Sequence, residues 1–382
     1  MGNAISESPT GTTINNSSCI SSTAPYYQNY LGQNITGMSS LQLNVSNSSP
    51  QLYWSDAPGL ISDTRISEDN KFIEFYVSPE TIRQGNALIA IKKDNKVMWS
   101  WHIWVTNWKQ GTKNQTIGNG NPDIMPFAIG RCSAATYNYG SRTITIRFTQ
   151  NTSNITKDIT ITQQASTVTY GENAPYYQWG RKDPMLASNG LNDAKYKICF
   201  GDIPYRISET VTPVNLNQGI LNPNIFYCST AFPGNWENPI NIHLWGDGQT
   251  TEPIWKTIYD PSPAGYQIPQ LNTVFAIVGM PYQFIDQPIN GCQFSPLKNG
   301  EYTLFLAANG GLGPKDGNIF SSISPEKGGY YWSNSNFYWD NTTIGSKNTF
   351  LNLIFSLKRD SNPVYYQVNP SASGLNICAS VQ

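Results

Sequence analysis

The segment 255–269 constrains the fold most strongly, because it changes from a strand pattern to a rigid turn within a few residues. It reads WKTIYDPSPAGYQIP and alternates bulky and polar residues up to Tyr259, as a half-buried strand does. The prolines and glycine that follow Asp260 cannot continue a ladder, and an aspartate there can bond the backbone of the next turn. The segment therefore predicts a strand entering a structural corner, with Tyr259, Pro263 and Tyr266 largely buried.

Four other segments carry motifs that occur together with this corner. They are WSWHIWVT at 99–106, YYQWGRKDP at 176–184, GYYWS at 329–333 and GLNIC at 374–378. With the corner, they resemble the YDPCPAGYRVP-containing secreted and surface proteins of gut Bacteroidetes, which comprise fimbrillin-like proteins and a major paralogous domain related to C-type-lectin-like folds. The resemblance covers roughly the last three quarters of the chain.

The resemblance implies a C-type-lectin-like domain that binds rather than catalyses, since the family is known mostly as adhesive or display modules. It also implies a short helix over 175–184, packed under the sheet. The family usually has a cysteine where this chain has Ser262, so a disulfide from that position to Cys378 is not expected here. The broader family of formylglycine-generating enzymes shares the topology, but no pair of neighbouring cysteines near the C-terminus supports that chemistry.

The composition favours a β-rich protein and argues against nucleic-acid or membrane partners. Charged residues make up only 13% of the chain, aromatic residues another 13%, and the net charge is −1. A protein without a basic surface lacks the electrostatic footprint for nucleic acid, and no apolar run approaches the length of a spanning helix. The first residues lack the pattern of a signal peptide. We therefore expect either a removed signal or a protein made in the cytoplasm, such as a virion component.

Periodicity divides the chain into four predicted parts. Residues 1–40 are rich in Ser, Thr and Asn and predict an extended arm, which either joins a neighbouring subunit or is a loose terminus. Residues 41–110 predict a sandwich-like β region with a hairpin over 87–105, and 111–170 predict a β insertion with a hairpin. The resemblance implies that this insertion is immunoglobulin-like and that 171–382 form the C-type-lectin-like domain. The fold class is thus mainly β, with α+β character in the C-terminal part and the best helix candidate at 269–280.

Sequence motifs for catalysis are absent. The chain has no nucleophile elbow, P-loop or dinucleotide fingerprint. It contains two histidines, His102 and His243, which both suit packed strand positions, and six cysteines without a CxxC pair. We therefore expect no enzyme, no zinc and no cofactor, and we expect the cysteines to be buried small groups rather than an established set of disulfides.

Calcium is the one metal for which the sequence offers ligands. Many C-type lectins bind sugar through calcium, which takes six to eight oxygen ligands. The candidate ligands are Asp316, Asn318, Asp340 and Asn341. The EPN and QPD patterns of calcium-dependent sugar sites are absent. Residues 237–239 contain the three residues of EPN, but in the order ENP. We expect a calcium-independent site without a metal.

The predicted recognition surface is the loop-rich stretch 309–347. Aromatic side chains with neighbouring amides suit sugar rings, which are apolar on one face and rimmed by hydroxyls. The predicted binding residues are Tyr338, Trp339, Asn334, Asn336, Asp340 and Asn341. The alternative position is 226–245, within a region where hydrophobic periodicity nearly vanishes and function often lies.

Together these observations predict a non-catalytic recognition protein displayed on an extracellular surface. Its expected partners are a cell-surface glycan or protein receptor and, through the N-terminal arm, other subunits of a phage virion or fibre or of a bacterial fimbria. Two alternatives remain: an enzyme of the formylglycine-generating type, and a purely structural assembly subunit.

Overall fold

The computed structural model describes most of the chain and shows a predominantly β protein. The described residues are 5–7, 13–15, 27–35, 43–70, 72–80, 82–112, 114–117, 120–133, 135–170, 174–186, 199–245, 256–285, 290–295, 304–321, 327–339, 347–356 and 363–381. The β-rich class predicted from composition is confirmed. Neither of the helices in these ranges has the length and apolar character needed to cross a membrane.

The strands are short and numerous. They are β1 Ile5–Glu7, β2 Thr13–Asn15, β3 Ser49–Ser55, β4 Ser62–Ile66, β5 Ile73–Tyr76, β6 Gly85–Lys93, β7 Lys96–Val105, β8 Ala135–Tyr139, β9 Arg142–Gln150, β10 Ile155–Gln163, β11 Ser166–Tyr170, β12 Tyr177–Gln178, β13 Arg206–Ile207, β14 Ile225–Phe226, β15 Tyr266–Gln267, β16 Tyr282–Ile285, β17 Gly291–Phe294, β18 Leu304–Ala307, β19 Gly328–Trp339, β20 Lys347–Ser356, β21 Val364–Asn369, β22 Gly374–Leu375 and β23 Ser380–Val381. The helices are α1 Leu216–Leu221 and α2 Leu271–Val278.

Three antiparallel sheets of three strands form the larger layers, in the orders β3-β6-β7, β16-β17-β18 and β19-β20-β21. The predicted hairpin over 87–105 is confirmed as β6 paired with β7. The remaining described strands pair in twos, including β9 with β10 and β8 with β11. The predicted helix near 269–280 is confirmed as α2, which buries Thr273, Val274 and Ile277.

One large core joins regions that the sequence assigned to different parts. It includes Tyr27 and Ile35 from the predicted arm, Ile124 and Met125 from the predicted insertion, and residues through Ala379. Chain elements far apart in sequence therefore share one apolar interior, and the predicted domain boundaries stay a prediction.

The indole N–H groups tie the motif segments together inside this core. Trp332 donates to the carbonyl of Tyr177 at 2.8 Å, and Trp179 donates to the carbonyl of Ser333 at 3.0 Å. Trp245 donates to the carbonyl of Tyr259 at 3.0 Å. A buried indole needs such an acceptor, so these bonds fix the packing of the segments at 176–184, 255–269 and 329–333 on one another.

The helix expected over 175–184 is wrong. This segment instead forms the short strand β12, which pairs with β22, followed by a turn. Its backbone N–H groups reach distant acceptors: Tyr176 donates to Met185 O at 3.0 Å and Trp179 to Ser371 O at 3.0 Å. Because these partners lie outside the segment, no helical ladder forms. In the same segment, Lys182 and Asp183 form a buried ion pair, with Nζ and Oδ1 2.7 Å apart.

The corner is confirmed as a core element, but its strand lies on the other side of the turn. Tyr259 and Tyr266 are buried, as is Pro263. The expected strand before Asp260 does not form; residues 257–260 make a turn instead, since Asp260 N donates to Thr257 O. The strand is β15, which pairs with β23 near the end of the chain.

Tyr266→Phe is expected to lower the free energy of unfolding by about 1–2 kcal/mol. The Tyr266 hydroxyl accepts from Gly111 N at 3.1 Å and donates to Asn114 Oδ1 at 2.9 Å, so its removal leaves two groups without their partner. Chemical denaturation measures the change, with the more exposed Tyr282→Phe as control. Equal stability of Tyr266→Phe and parent would show that these bonds do not hold the corner.

Candidate functional site

The predicted surface 309–347 is mostly packed into the protein where the structure describes it. Asn334 is 1% exposed and its backbone N–H donates to Pro269 O at 2.9 Å. A register shift between Trp332 and Asn336 interrupts the pairing of β19 with β20, and Asn336 is half-buried. Neither asparagine therefore presents its side chain openly to a ligand, in contrast to the expectation.

For the other four predicted binding residues, the structure describes at most the backbone. Tyr338 and Trp339 belong to β19, with Asn348 and Lys347 of β20 as their register partners, and the structure describes only their backbone. Asp340 and Asn341 lie outside the described residues. The prediction for these four residues stays a prediction.

The candidate calcium ligands Asp316 and Asn318 lie in an exposed turn and contact each other. Asn318 donates from its backbone N to Asp316 Oδ1 at 3.0 Å and from Nδ2 to Oδ2 at 2.8 Å. This arrangement is a self-contained Asx turn. In the described part of the chain, no three His, Cys, Asp or Glu side chains group closely enough to hold a metal ion.

The two histidines have different environments. His102 is buried in β7, where Nε2 lies 2.9 Å from Asn86 Oδ1 and Nδ1 lies 3.0 Å from the Tyr177 hydroxyl. Burial lowers the pKa of His102 to about 3, so the ring is neutral and its two nitrogens serve one donor and one acceptor role. His102 is a packed strand residue, as expected. His243 lies in a turn rather than a strand.

His243 borders a surface cleft of about 720 Å³, large enough for a small oligosaccharide. The residues that line it come from the segment around Tyr27–Ile35, from the start of α1 and from the turn that follows Glu237. They are Gln28, Leu31, Gly32, Asn215, Leu216, Asn217, Pro239, Ile240, Asn241, Ile242 and His243. Part of this lining belongs to the alternative position 226–245.

The first wall is the start of α1. A six-residue helix is marginal by itself, but Arg181 reaches it from the core and donates to Gly219 O at 3.2 Å and Asn222 O at 3.1 Å. A cation at these carbonyls complements the C-terminal end of the helix. At the other end, the Asn215 side chain makes no capping hydrogen bond and the residue is exposed. Its amide therefore faces solvent at the cleft.

The second wall is a turn held by a buried carboxyl group. Asn241 donates its backbone N–H to Glu237 Oε1 at 3.0 Å, and His243 donates its backbone N–H to Asn241 Oδ1 at 3.0 Å. Burial raises the pKa of Glu237 to about 8, with the Asn241 hydrogen bond lowering it in part. Glu237 is thus protonated at neutral pH and positions the wall without adding charge.

The third wall is the segment from Tyr27 to Ile35, which docks on the body. The Tyr259 hydroxyl donates to Gln28 O at 2.5 Å, and Tyr27 donates to His243 O at 3.4 Å. Gly32 has φ +76°, and a Cβ built there would lie 3.4 Å from Asn217 Nδ2. The backbone conformation favours glycine at this point, and the loop approaches α1 closely there.

The chemistry of the lining is neutral and amide-rich. Asn, Gln and His side chains alternate with Leu, Ile and Pro, and the described lining contains no carboxylate, thiol, hydroxyl or permanent cation. Such a surface offers hydrogen-bond donors and acceptors beside apolar area. It lacks the paired carboxylates of glycoside hydrolysis and the nucleophile of acyl transfer.

No family model, curated protein or solved structure matches this chain. The resemblance to Bacteroidetes surface proteins consequently stays a prediction, as does the C-type-lectin-like architecture. Three of the motif segments, 176–184, 255–269 and 329–333, nevertheless pack on one another in the core of this fold.

The sequence pointed to the region that supplies two walls of the cleft and did not indicate the third. The loss of periodicity after Leu186 indicated a region that carries function, and it includes α1 and the turn after Glu237. The contribution of Gln28–Gly32 left no signal, because its contacts span more than 200 residues.

Proposed function

We propose that the chain is a non-catalytic recognition protein that binds a neutral, hydroxyl-rich ligand, such as a cell-surface glycan, in this cleft. The observation that carries the proposal is the lining itself, which combines four amide side chains and an imidazole with aliphatic side chains. Amides donate to and accept from sugar hydroxyls, and the aliphatic side chains can cover the apolar face of the ring. The absence of charge in the described lining favours a neutral ligand over an acidic one.

The proposal extends to the setting in which the protein acts. A glycan receptor on a cell implies display on an extracellular surface, either as part of a phage virion or fibre or at the tip of a fimbria. In both cases the N-terminal segment before Tyr27 would join the protein to neighbouring subunits. The motif resemblance supports this setting, and the described residues support the neutral cleft that such a role requires.

A purely structural assembly subunit is the second candidate. The observation that favours it is the hairpin of β9 and β10, whose residues are exposed on both faces. An exposed hairpin suits an assembly contact, and such a contact is compatible with a recognition role elsewhere on the chain.

Asn215→Ala combined with Asn217→Ala is expected to weaken glycan binding about 10- to 100-fold, since each lost hydrogen bond contributes about 0.5–1.5 kcal/mol. Binding is measured on an array of neutral and acidic surface glycans, followed by calorimetry on the neutral oligosaccharides that the parent binds. The thermal unfolding of the variant should match that of the parent, because Asn215 is exposed and caps nothing with its side chain.

The matched control is Gln283→Ala combined with Gln293→Ala, which removes two amides that bond each other on the surface of another sheet. This variant should bind as the parent does. A parent that binds only acidic glycans, or a cleft variant that binds as well as the control, would contradict the proposed site.

A further inference from the structure

The hairpin of β9 and β10 carries two chemically different faces. Cross-strand partners share a face in an antiparallel pair, and the register places Ile144 opposite Ile161 and Ile146 opposite Ile159. Phe148 and Ile155 lie on the same side by the period of two. These six apolar residues are each between 40% and 65% exposed: Ile144, Ile146, Phe148, Ile155, Ile159 and Ile161. We refer to them as the isoleucine face.

The opposite face of the hairpin is polar. It consists of threonine pairs, such as Thr143 with Thr162 and Thr145 with Thr160, whose hydroxyls lie within 3.2 Å and 3.5 Å of each other. Arg147 forms a two-pronged ion pair with Asp158 at 2.8 Å on the same side. A hairpin that stays in water on both sides gains no stability from collecting its apolar residues on one face and its polar residues on the other. The two faces therefore indicate that only the threonine face remains in water.

An isolated two-stranded hairpin is marginally stable, and a hydrophobic face needs a second layer. No described residue of this chain supplies that layer, since all residues of both strands are exposed. An apolar patch of several hundred Å² on a soluble protein commonly marks an interaction surface.

We propose that the isoleucine face packs against the same face of a second copy of this chain. Its central pair, Ile146 and Ile159, is flanked by an aliphatic pair on one side and by Phe148 with Lys157 on the other. A surface of this kind satisfies the self-complementarity that a two-fold interface requires. It carries two positive charges, Lys157 and, at the end of the strands, Arg142 opposite Gln163, and these limit how two copies can be oriented.

The area of the face agrees with a dimer. A fully exposed side chain of this size presents about 150–200 Å², so the exposed fractions of the six residues amount to roughly 500 Å² on each copy. Two copies would bury roughly 1,000 Å² through these side chains alone, which reaches the lower limit for a specific interface.

The position of Lys157 favours an antiparallel arrangement of the two hairpins. In that arrangement the central pairs meet, and Phe148 and Lys157 of one copy lie over Ile144 and Ile161 of the other. The two ammonium groups are then about four residues apart along the strands, or roughly 13 Å. A parallel arrangement would bring them together in an apolar interface, where like charges are costly.

The test compares charge substitutions on the two faces of the same hairpin. Ile146→Lys with Ile159→Glu places an ion pair at the centre of the isoleucine face. Thr145→Lys with Thr160→Glu places the same ion pair on the threonine face, one residue away in register. Opposite charges across the strands keep the hairpin paired in both variants, so the two differ mainly in the face that they alter.

Sedimentation velocity of the full chain should show a monomer–dimer equilibrium for the parent and for the threonine-face variant. The isoleucine-face variant should dissociate at least about 100-fold more readily, because dimerisation would bury its charges. A second variant, Ile146→Thr with Ile159→Thr, should weaken the dimer too and rules out a general effect of charge.

Three results would overturn the proposal: a parent that stays monomeric at about 100 µM, an equal loss of dimer in both charge variants, or an open series of growing oligomers instead of a closed dimer. The proposal is independent of glycan binding, so it can fail while the cleft retains its ligand.

Discussion

Asp260→Ala is expected to lower the free energy of unfolding by about 3–5 kcal/mol, as the removal of one partner of a buried ion pair does. Asp260 is fully buried and holds three groups of the corner. Its Oδ1 accepts from Lys256 Nζ at 3.0 Å and from Ser262 N at 2.8 Å, and its Oδ2 accepts from Ile268 N at 3.0 Å. The substitution leaves a buried ammonium group and two backbone N–H groups without this carboxylate. Urea denaturation measures the change.

The order of three variants tests this account. Lys256→Met should cost less than Asp260→Ala, because the carboxylate keeps its two backbone donors. The double variant should be no less stable than Asp260→Ala, since removing the lysine removes the uncompensated charge. Asp158→Ala, which breaks an exposed ion pair with Arg147, should change stability little. A loss for Asp260→Ala as small as that for Asp158→Ala would contradict the role of the buried carboxylate.

Local patterns predicted the elements whose hydrogen bonds are local. The alternation in 143–163 and in 87–105 predicted hairpins, and both occur. The proline-flanked Asp260 predicted an Asx turn, and the bond from Ser262 N to its side chain confirms it. The apolar spacing of 269–280 predicted α2. In each of these cases, neighbouring residues determine the conformation.

The sequence did not predict the contacts that cross the chain. The helix expected over 175–184 failed because Trp179 N bonds Ser371 O, almost 200 residues away. The lysine beside the corner is four residues before Asp260, and only the irregular path of the backbone brings their side chains together. The cleft also depends on contacts between distant parts of the chain, since Arg181, Glu237 and Tyr259 hold its walls from the core. Residues that position a site through such contacts leave no periodic signal in the sequence.

Glu237→Gln is expected to be more stable than the parent at pH 8, and the difference should grow as pH rises from 4.5 towards 8. Burial raises the pKa of Glu237 from 4.5 to about 8 in the folded protein, so the native state retains a proton that the unfolded state releases. The contribution of this group is complete below pH 4.5 and is lost as pH rises through about 8. The slope is about 1.4 kcal/mol per pH unit within this window. Over the window from pH 4.5 to about 8, the full difference therefore reaches about 5 kcal/mol.

The range from pH 6.5 to 8 isolates this effect. Burial also raises the pKa of Asp56 to about 6 and lowers that of His102 to about 3, but the parent and Glu237→Gln share both groups, so their contributions cancel in the difference. Between pH 6.5 and pH 8, the free energy of unfolding of the parent should fall by about 2 kcal/mol relative to that of Glu237→Gln. Glutamine keeps the Oε1 acceptor for Asn241 N, so the cleft wall should persist in the variant. The exposed Glu209→Gln should follow the parent at every pH. A constant difference between Glu237→Gln and parent would mean that Glu237 is already ionised in the folded protein, and that a charged group lies beneath the cleft.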